Sequence, residues 1–359
     1  MPLFRKNPSS QPVARQATTS APSVPVTTFR GDPQGPAVKR LLAQGRWQEF
    51  HNFLDPITDW DRREWYLGCG VSGIAGLPQW LDEWAAARPD SGLPLLVKGI
   101  RCTKWAWEAR GGGRAKSVGA DAWPVFYERL VAADQALSRA AALDARDPLP
   151  VAHSITVAMG LQLGQDEART RFGEAHRRDR LNGTACAAMV QATARKWGGT
   201  NEGMLQWARW VSSEASDGAQ VHKWVAYAHI ECWLDAEKGT PQREYFLRPE
   251  VKQEVLASAQ RCVFSPSYAV RDLTIRSCAD RNIYAFCFSL MHDYEAALDM
   301  MRLIGPYVTP APWSYQGKAG EKYEFHRQRA FRELYGTPAP AWADFLAAAG
   351  HPPLAEASQ

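Results

Sequence analysis

The chain has 359 residues, 45% of them hydrophobic, 22% charged and 11% aromatic, a balance that supports a sizeable folded core and excludes a wholly disordered protein. The formal net charge is +4, but Arg5, Lys6, Arg15, Arg30, Lys39 and Arg40 face only Asp32 in the first 40 residues, so the rest of the chain sums to −1. A body without a positive field argues against a dedicated nucleic-acid surface. No apolar run approaches the roughly 20 residues that span a bilayer.

Residues 1–35 are rich in Pro, Ser and Thr and poor in large apolar residues. Such a segment cannot bury enough surface to offset its ordering entropy, so a basic disordered tail is expected there, with no apolar stretch that would make it a secretory signal. From Pro36 the texture is helical, and a single α-helical repeat domain is expected over 36–350, followed by a flexible C-terminus over 351–359. QGRWQEFHNFLDP (44–56) has the form of a turn and second helix of a first hairpin.

GCGVSG (68–73) matches G-x-G-x-x-G, the dinucleotide fingerprint, yet it lacks the context that motif requires. WDRREWYL before it is charged and helical in texture rather than a buried strand. Pro78 delays the next helix, and Asp90 does not end a strand. The expectation is a tight bend joining two Trp-bearing helices, and no cofactor.

Farther on, Val125, Leu130, Leu137 and Ala141 recur at helical spacing, predicting one long helix from Trp123-Pro124 to Asp147-Pro148. Asp147-Pro148, Asn182-Gly183 and Asp217-Gly218 then fall at 35-residue intervals. Between them lie the turns Leu163-Gly164-Gln165 and Gly198-Gly199-Thr200-Asn201. Helix, turn, helix, turn at this period is an α-hairpin repeat, clearest over 148–217. Ala168, Phe172 and Ala175 follow the small–aromatic–small spacing of a second repeat helix, Gly203, Trp207 and Trp210 hold the same places one period later, and Ala297, Met301 and Ile304 repeat them in HDYEAALDMMRLIGP. KGTPQREYFLRPE (238–250) interrupts the spacing and is expected to be an inserted loop. The predicted fold class is therefore all-α: tetratricopeptide-like hairpins in a right-handed solenoid or curved array, with a non-repeating helical bundle as the alternative.

WEARGGG (107–113), ALDARDPLP (142–150) and RKWGGTNEGMLQWAR (195–209) resemble a family of uncharacterised bacterial proteins whose domain of unknown function has tetratricopeptide-like architecture. The family hallmark is a Trp-Gly-Gly turn followed by an amphipathic helix, matched here by Trp197, Gly198, Gly199 and Trp207 over a resemblance covering roughly 77–215. It implies an α-hairpin fold and no established activity. Physically, the two glycines supply positive-φ conformations, Thr200 or Asn201 caps the next helix, and Trp197 packs under the turn or lines a groove.

Candidate chemistry is sparse. His222 and His229 share a helical face near Glu231 and Cys232, but no metal signature accompanies them, and G-x-S-x-G and P-loop motifs are absent. Seven cysteines without a C-x-x-C pair read as buried thiols in a reducing compartment, with the cytoplasm expected. Arg171, Arg178 and Arg195, with neighbouring arginines of RTRFGEAHRRDR, form a candidate basic patch for carboxylates or phosphates or else a solvated helix face. Trp207, Trp210 and Trp224 are candidate partner anchors or else packing residues.

The favoured expectation is a non-enzymatic scaffold or adaptor that binds a protein or peptide through its inner face. The alternatives are an enzyme or small-molecule sensor with a pocket between hairpins holding His222 and His229, or a structural component of a larger assembly. No metal and no membrane insertion are expected.

Overall fold

The computed structural model describes residues 23–111, 118–268 and 276–351; most of the expected tail, Gly112 and Gly113 of WEARGGG, and 352–359 lie outside the described residues. Among the described residues the protein is all-helical, with seventeen α-helices and no strand. In chain order these are α1 (Gly35–Ala43), α2 (Trp47–Leu54), α3 (Trp60–Val71), α4 (Trp80–Ala87), α5 (Leu93–Arg110), α6 (Ala122–Leu143), α7 (Leu149–Gly160), α8 (Gln165–Arg178) and α9 (Gly183–Thr193). There follow α10 (Asn201–Ser213), α11 (Lys223–Asp235), α12 (Thr240–Glu244), α13 (Pro249–Arg261), α14 (Arg276–Met291), α15 (Tyr294–Ile304), α16 (Ala319–Tyr335) and α17 (Trp342–Ala348).

The turn chemistry places the helix ends. Asn182 accepts from the Thr184 and Ala185 amides to cap α9, and Thr200 accepts from the Gly203 amide to cap α10. Gly164 (φ +93°) and Gly198 (φ +85°) sit in the left-handed region. Gly199 acts differently from its neighbour. A Cβ there would collide with the Thr193 carbonyl, so close backbone approach, and not positive φ, excludes a side chain.

Helices pack in pairs along the chain: α5 with α6, α7 with α8, α9 with α10, α11 with α13, and α14 with α15. The first members also touch one another in the order α5, α7, α9, α11, α14, while each second member packs on the first helix of the next pair. Gly99 and Gly160 admit the Leu137 and Leu130 side chains of α6 where a Cβ would stand 2.6 Å away, which brings α5, α6 and α7 into close register. The predicted plug residues Ala168, Phe172 and Ala175 are buried, as are Ala297, Met301 and Ile304.

Three expectations are revised. The segment from Val24 onward is packed: Val24 is buried, its amide donates to the Gly320 carbonyl, and the Thr27 amide donates to Val308. This strap runs from the C-terminal helices to α3, where Asp32 accepts from the Trp65 indole at 2.7 Å. One valine and a set of backbone bonds hold it, a signal that polar composition hides. The 238–250 segment is not an extruded loop, because it forms α12 and a 3-10 turn that buries Tyr245 and Phe246. GCGVSG is not a bend either. It ends α3 and its last turn, and Gly70 and Gly73 let α2 and α1 approach: a Cβ on Gly70 would stand 2.6 Å from Phe50, and one on Gly73 would strike the Lys39 carbonyl.

Candidate functional site

Helix α3 supplies one wall of the main cleft. Asp59 caps it by accepting from the Arg62 amide at 2.7 Å. Asp61, Glu64, Trp65, Gly68 and Ser72 then recur three and four residues apart, so they share one face. That face lines a cleft of about 880 Å³. The strap contributes Thr28, Phe29 and Arg30, α1 contributes Lys39, the start of α9 contributes Gly183 and Thr184, and the approach to α11 contributes Lys223 and Trp224. The volume lies in the range of pockets that enclose drug-sized ligands.

The polar side chains are held in place from behind. Asp280 on α14 is fully buried, and its two oxygens accept from the Lys223 ammonium at 2.7 Å and the Tyr268 hydroxyl at 2.8 Å. A carboxylate withdrawn from water is tolerated because both oxygens are satisfied, and this fixes two cleft-lining residues at once. Burial, reinforced by the Asp280 charge, pushes the Tyr268 hydroxyl far up, so it remains a donor. On the opposite wall Glu64 Oε2 pairs with His153 Nε2 at 2.8 Å. Nearby on α5, burial lowers the pKa of Lys104 while Glu64 pulls it back up.

Arg30 has φ +51° and its guanidinium lies 4.8 Å from the Trp65 ring centroid. A non-glycine residue in the left-handed region is a strained position that surrounding contacts must hold. The Cys69 thiol lines the same cleft, but burial, with the Asp32 charge, pushes it up to about 12, so it is not a thiolate at neutral pH.

The expected site residues fall in several places. Of the four tryptophans, Trp224 lines the cleft. Trp197 packs edge-on against Trp107 at 5.4 Å, and the Arg110 guanidinium lies between the Trp107, Trp123 and Trp197 rings, so the WEARGGG and Trp-Gly-Gly segments meet in a packing cluster. Trp207 and Trp210 pack on Phe172, with Trp210 41% exposed.

The basic patch does not assemble. Arg171 has a side chain only 14% exposed, drawn into contacts with Asp134, Glu167 and the Ser154 carbonyl. Arg178 donates to the carbonyls of Ala141, Asp144 and Asp147 and pairs with Glu174, closing the C-terminal end of α6. Arg195 is 70% exposed and pairs with Asp235 at 3.3 Å. Hairpin packing turns these arginines inward or apart, where their sequence clustering placed them together.

His222 and His229 do not line the cleft. His222 Nε2 donates to the Ser216 carbonyl at 2.9 Å and Ser212 Oγ donates to Nδ1 at 2.7 Å, while burial lowers the ring's pKa. His229 lies between Tyr245 and Glu254. Among the described residues no group of three His, Cys, Asp or Glu side chains could hold a metal ion, and all seven cysteines are buried and free. No described helix is long and apolar enough to cross a membrane.

The sequence reading missed Arg30, Lys39, Asp61, Glu64 and Lys223. One signal was present: the α3 face carries only charged, small or aromatic residues at helical spacing, with no aliphatic side chain to pack. No protein-family model matches the chain, and no curated protein or solved structure does either.

Proposed function

We propose that this chain is a non-enzymatic binding protein of tetratricopeptide-like α-hairpin repeats, in a right-handed solenoid or curved array, and that the cleft along α3, α9 and α11 holds a segment of its partner. The carrying observation is the cleft itself: about 880 Å³, walled by six separate parts of the chain, with both charge signs and two indoles on its surface. Aromatic and arginine side chains in a partly enclosed pocket are the usual anchors of peptide recognition. The unreactive Cys69 thiol disfavours nucleophilic catalysis by that residue. Seven buried thiols suit a reducing compartment, which supports the cytoplasm as the location.

The test uses Gly68→Trp. A Cβ added at Gly68 meets nothing within 4 Å, and Gly68 lines the cleft, so a large side chain there should project from the α3 wall into the cleft. The full-length chain should retain one partner at stoichiometric yield from native lysate, and Gly68→Trp should lose it while unfolding at the same temperature. Equal capture by both chains would overturn the reading.

A further inference from the structure

One wall of the cleft is held differently from the rest. Glu64, Gly183 and Lys223 stand on helices α3, α9 and α11, whereas Thr28, Phe29 and Arg30 belong to the strap, which has no helix of its own. Ser23, Pro25, Val26 and Thr28 are exposed, and Val24 alone of residues 23–28 is buried. Among the described residues the backbone of 23–28 reaches the body through two bonds. They run from the Val24 amide to the Gly320 carbonyl at 3.4 Å and from the Thr27 amide to the Val308 carbonyl at 2.8 Å. A segment with few buried apolar contacts and few backbone bonds opens more readily than the helices around it.

Past Arg30 the chain is fixed. Asp32 is buried, accepts from the Trp65 indole at 2.7 Å and from the Gln34 amide at 2.9 Å, and leads into α1. A Cβ on Gly31 would strike the Tyr307 ring. The change from loose to fixed falls at Arg30 and Gly31, two successive residues with φ of +51° and +79°. Arg30 bears strain there that a glycine would not, and release of the strap relieves it. While the strap is closed, the Arg30 guanidinium lies over the Trp65 ring, an aromatic surface of the cleft.

We propose that residues 23–30 are a releasable wall of the cleft and a built-in competitor for its partner. They swing away about Arg30 and Gly31, and a partner segment with an arginine beside an aromatic residue takes the place of Phe29 and Arg30. This rests on the cleft being the partner's binding site. The strap displays the chemistry that this surface accepts, since Trp65 already holds a guanidinium and the Phe29 ring lies against Gly35 at the start of α1. Tethering holds the strap at an effective concentration in roughly the millimolar range, so a free segment competes poorly until the moorings weaken.

The opened variant is Thr27→Pro/Gly320→Ala in the full chain. Proline removes the amide that bonds Val308, and a methyl on Gly320 would strike the Val24 carbonyl. The three atoms nearest that methyl all belong to Ser23 and Val24, so its first effect falls on the strap. Hydrogen exchange should show the strap amides exchanging at least about tenfold faster, with α5 to α9 unchanged. A fluorescein-labelled peptide VTTFRGD, the sequence of residues 26–32, should bind the variant saturably in anisotropy titrations and the unaltered chain at least about tenfold more weakly. Alanine in place of its phenylalanine and arginine should abolish binding. Strap amides no faster in the variant, equal affinity for the two chains, no saturable binding to the variant, or indifference to the two alanines would each overturn the proposal. The Gly68→Trp capture experiment uses no peptide, so it decides separately whether the cleft binds a partner.

Discussion

Two glycines of the same helix, two positions apart, should respond to alanine in opposite directions. In an α-helix, glycine costs about 0.5–1 kcal/mol relative to alanine because it loses more backbone freedom on folding. At Gly68 an added Cβ meets nothing within 4 Å, so Gly68→Ala should raise stability by up to about 1 kcal/mol, with the lower end favoured by its place near the end of α3. At Gly70 the same methyl would stand 2.6 Å from Phe50 Cε2 and 2.9 Å from Leu42 Cδ1. Both neighbours are fully buried and have nowhere to move, and overpacking of this kind costs about 1–3 kcal/mol. After the helical gain is subtracted, Gly70→Ala should destabilise by about 1–2 kcal/mol, so the two variants should differ by about 2 kcal/mol, roughly a thirtyfold change in the folded-to-unfolded ratio. Urea unfolding followed by far-ultraviolet circular dichroism reads the difference as a shift in midpoint at unchanged slope. A stabilised Gly70→Ala, or a Gly68→Ala that loses more than about 1 kcal/mol, would refute the assignment of the two glycines to cleft and core.

Three further outcomes are expected. His326 is buried, and that burial, with Arg329 and Lys322 nearby, lowers its pKa to about 4. The unfolded chain therefore takes up this proton first, and stability present above about pH 6.5 should fall by up to about 3 kcal/mol as the pH drops to about 4. His326→Gln should flatten that part of the stability–pH curve in thermal unfolding, and an unchanged slope would count against the buried neutral ring. Arg178→Met should cost about 2–4 kcal/mol, because three carbonyls and Glu174 lose their donor, whereas Arg195→Met should change chemical-denaturation stability by less than about 0.5 kcal/mol. Gly199→Ala should destabilise by more than about 2 kcal/mol, since its methyl would strike the Thr193 carbonyl, and should exceed the effect of Gly198→Ala, which pays about 1 kcal/mol for positive φ; differential scanning calorimetry of the pair checks the order.

Helix content and boundaries were legible because they depend on neighbours in the chain. Apolar spacing in α6, the Asn182 and Thr200 caps, and the glycines at 164 and 198 act over a few residues, and the caps and glycines mark helix ends, whereas α6 stops at Leu143, short of the expected Asp147-Pro148. The burial of Ala168, Phe172 and Ala175 follows from helical periodicity in the same way. The alternation of helices and turns along 148–217 was likewise readable from the turn residues.

What the chain's own text could not settle is which distant faces meet. Arg171 and Arg178 look like surface charge until α6 and α7 supply Asp134, the Ser154 carbonyl and the α6 terminus from 17 to 37 residues away. The cleft draws on residues from Thr28 to Tyr268, and Lys223 is fixed by Asp280, 57 residues on. GCGVSG shows both sides of this division. Its local context rules out a dinucleotide loop, but only the tertiary structure sends Gly70 and Gly73 into helix packing and Gly68 into the cleft. Local propensity is written in short-range spacing, whereas a binding site arises where long-range packing leaves side chains facing a shared space.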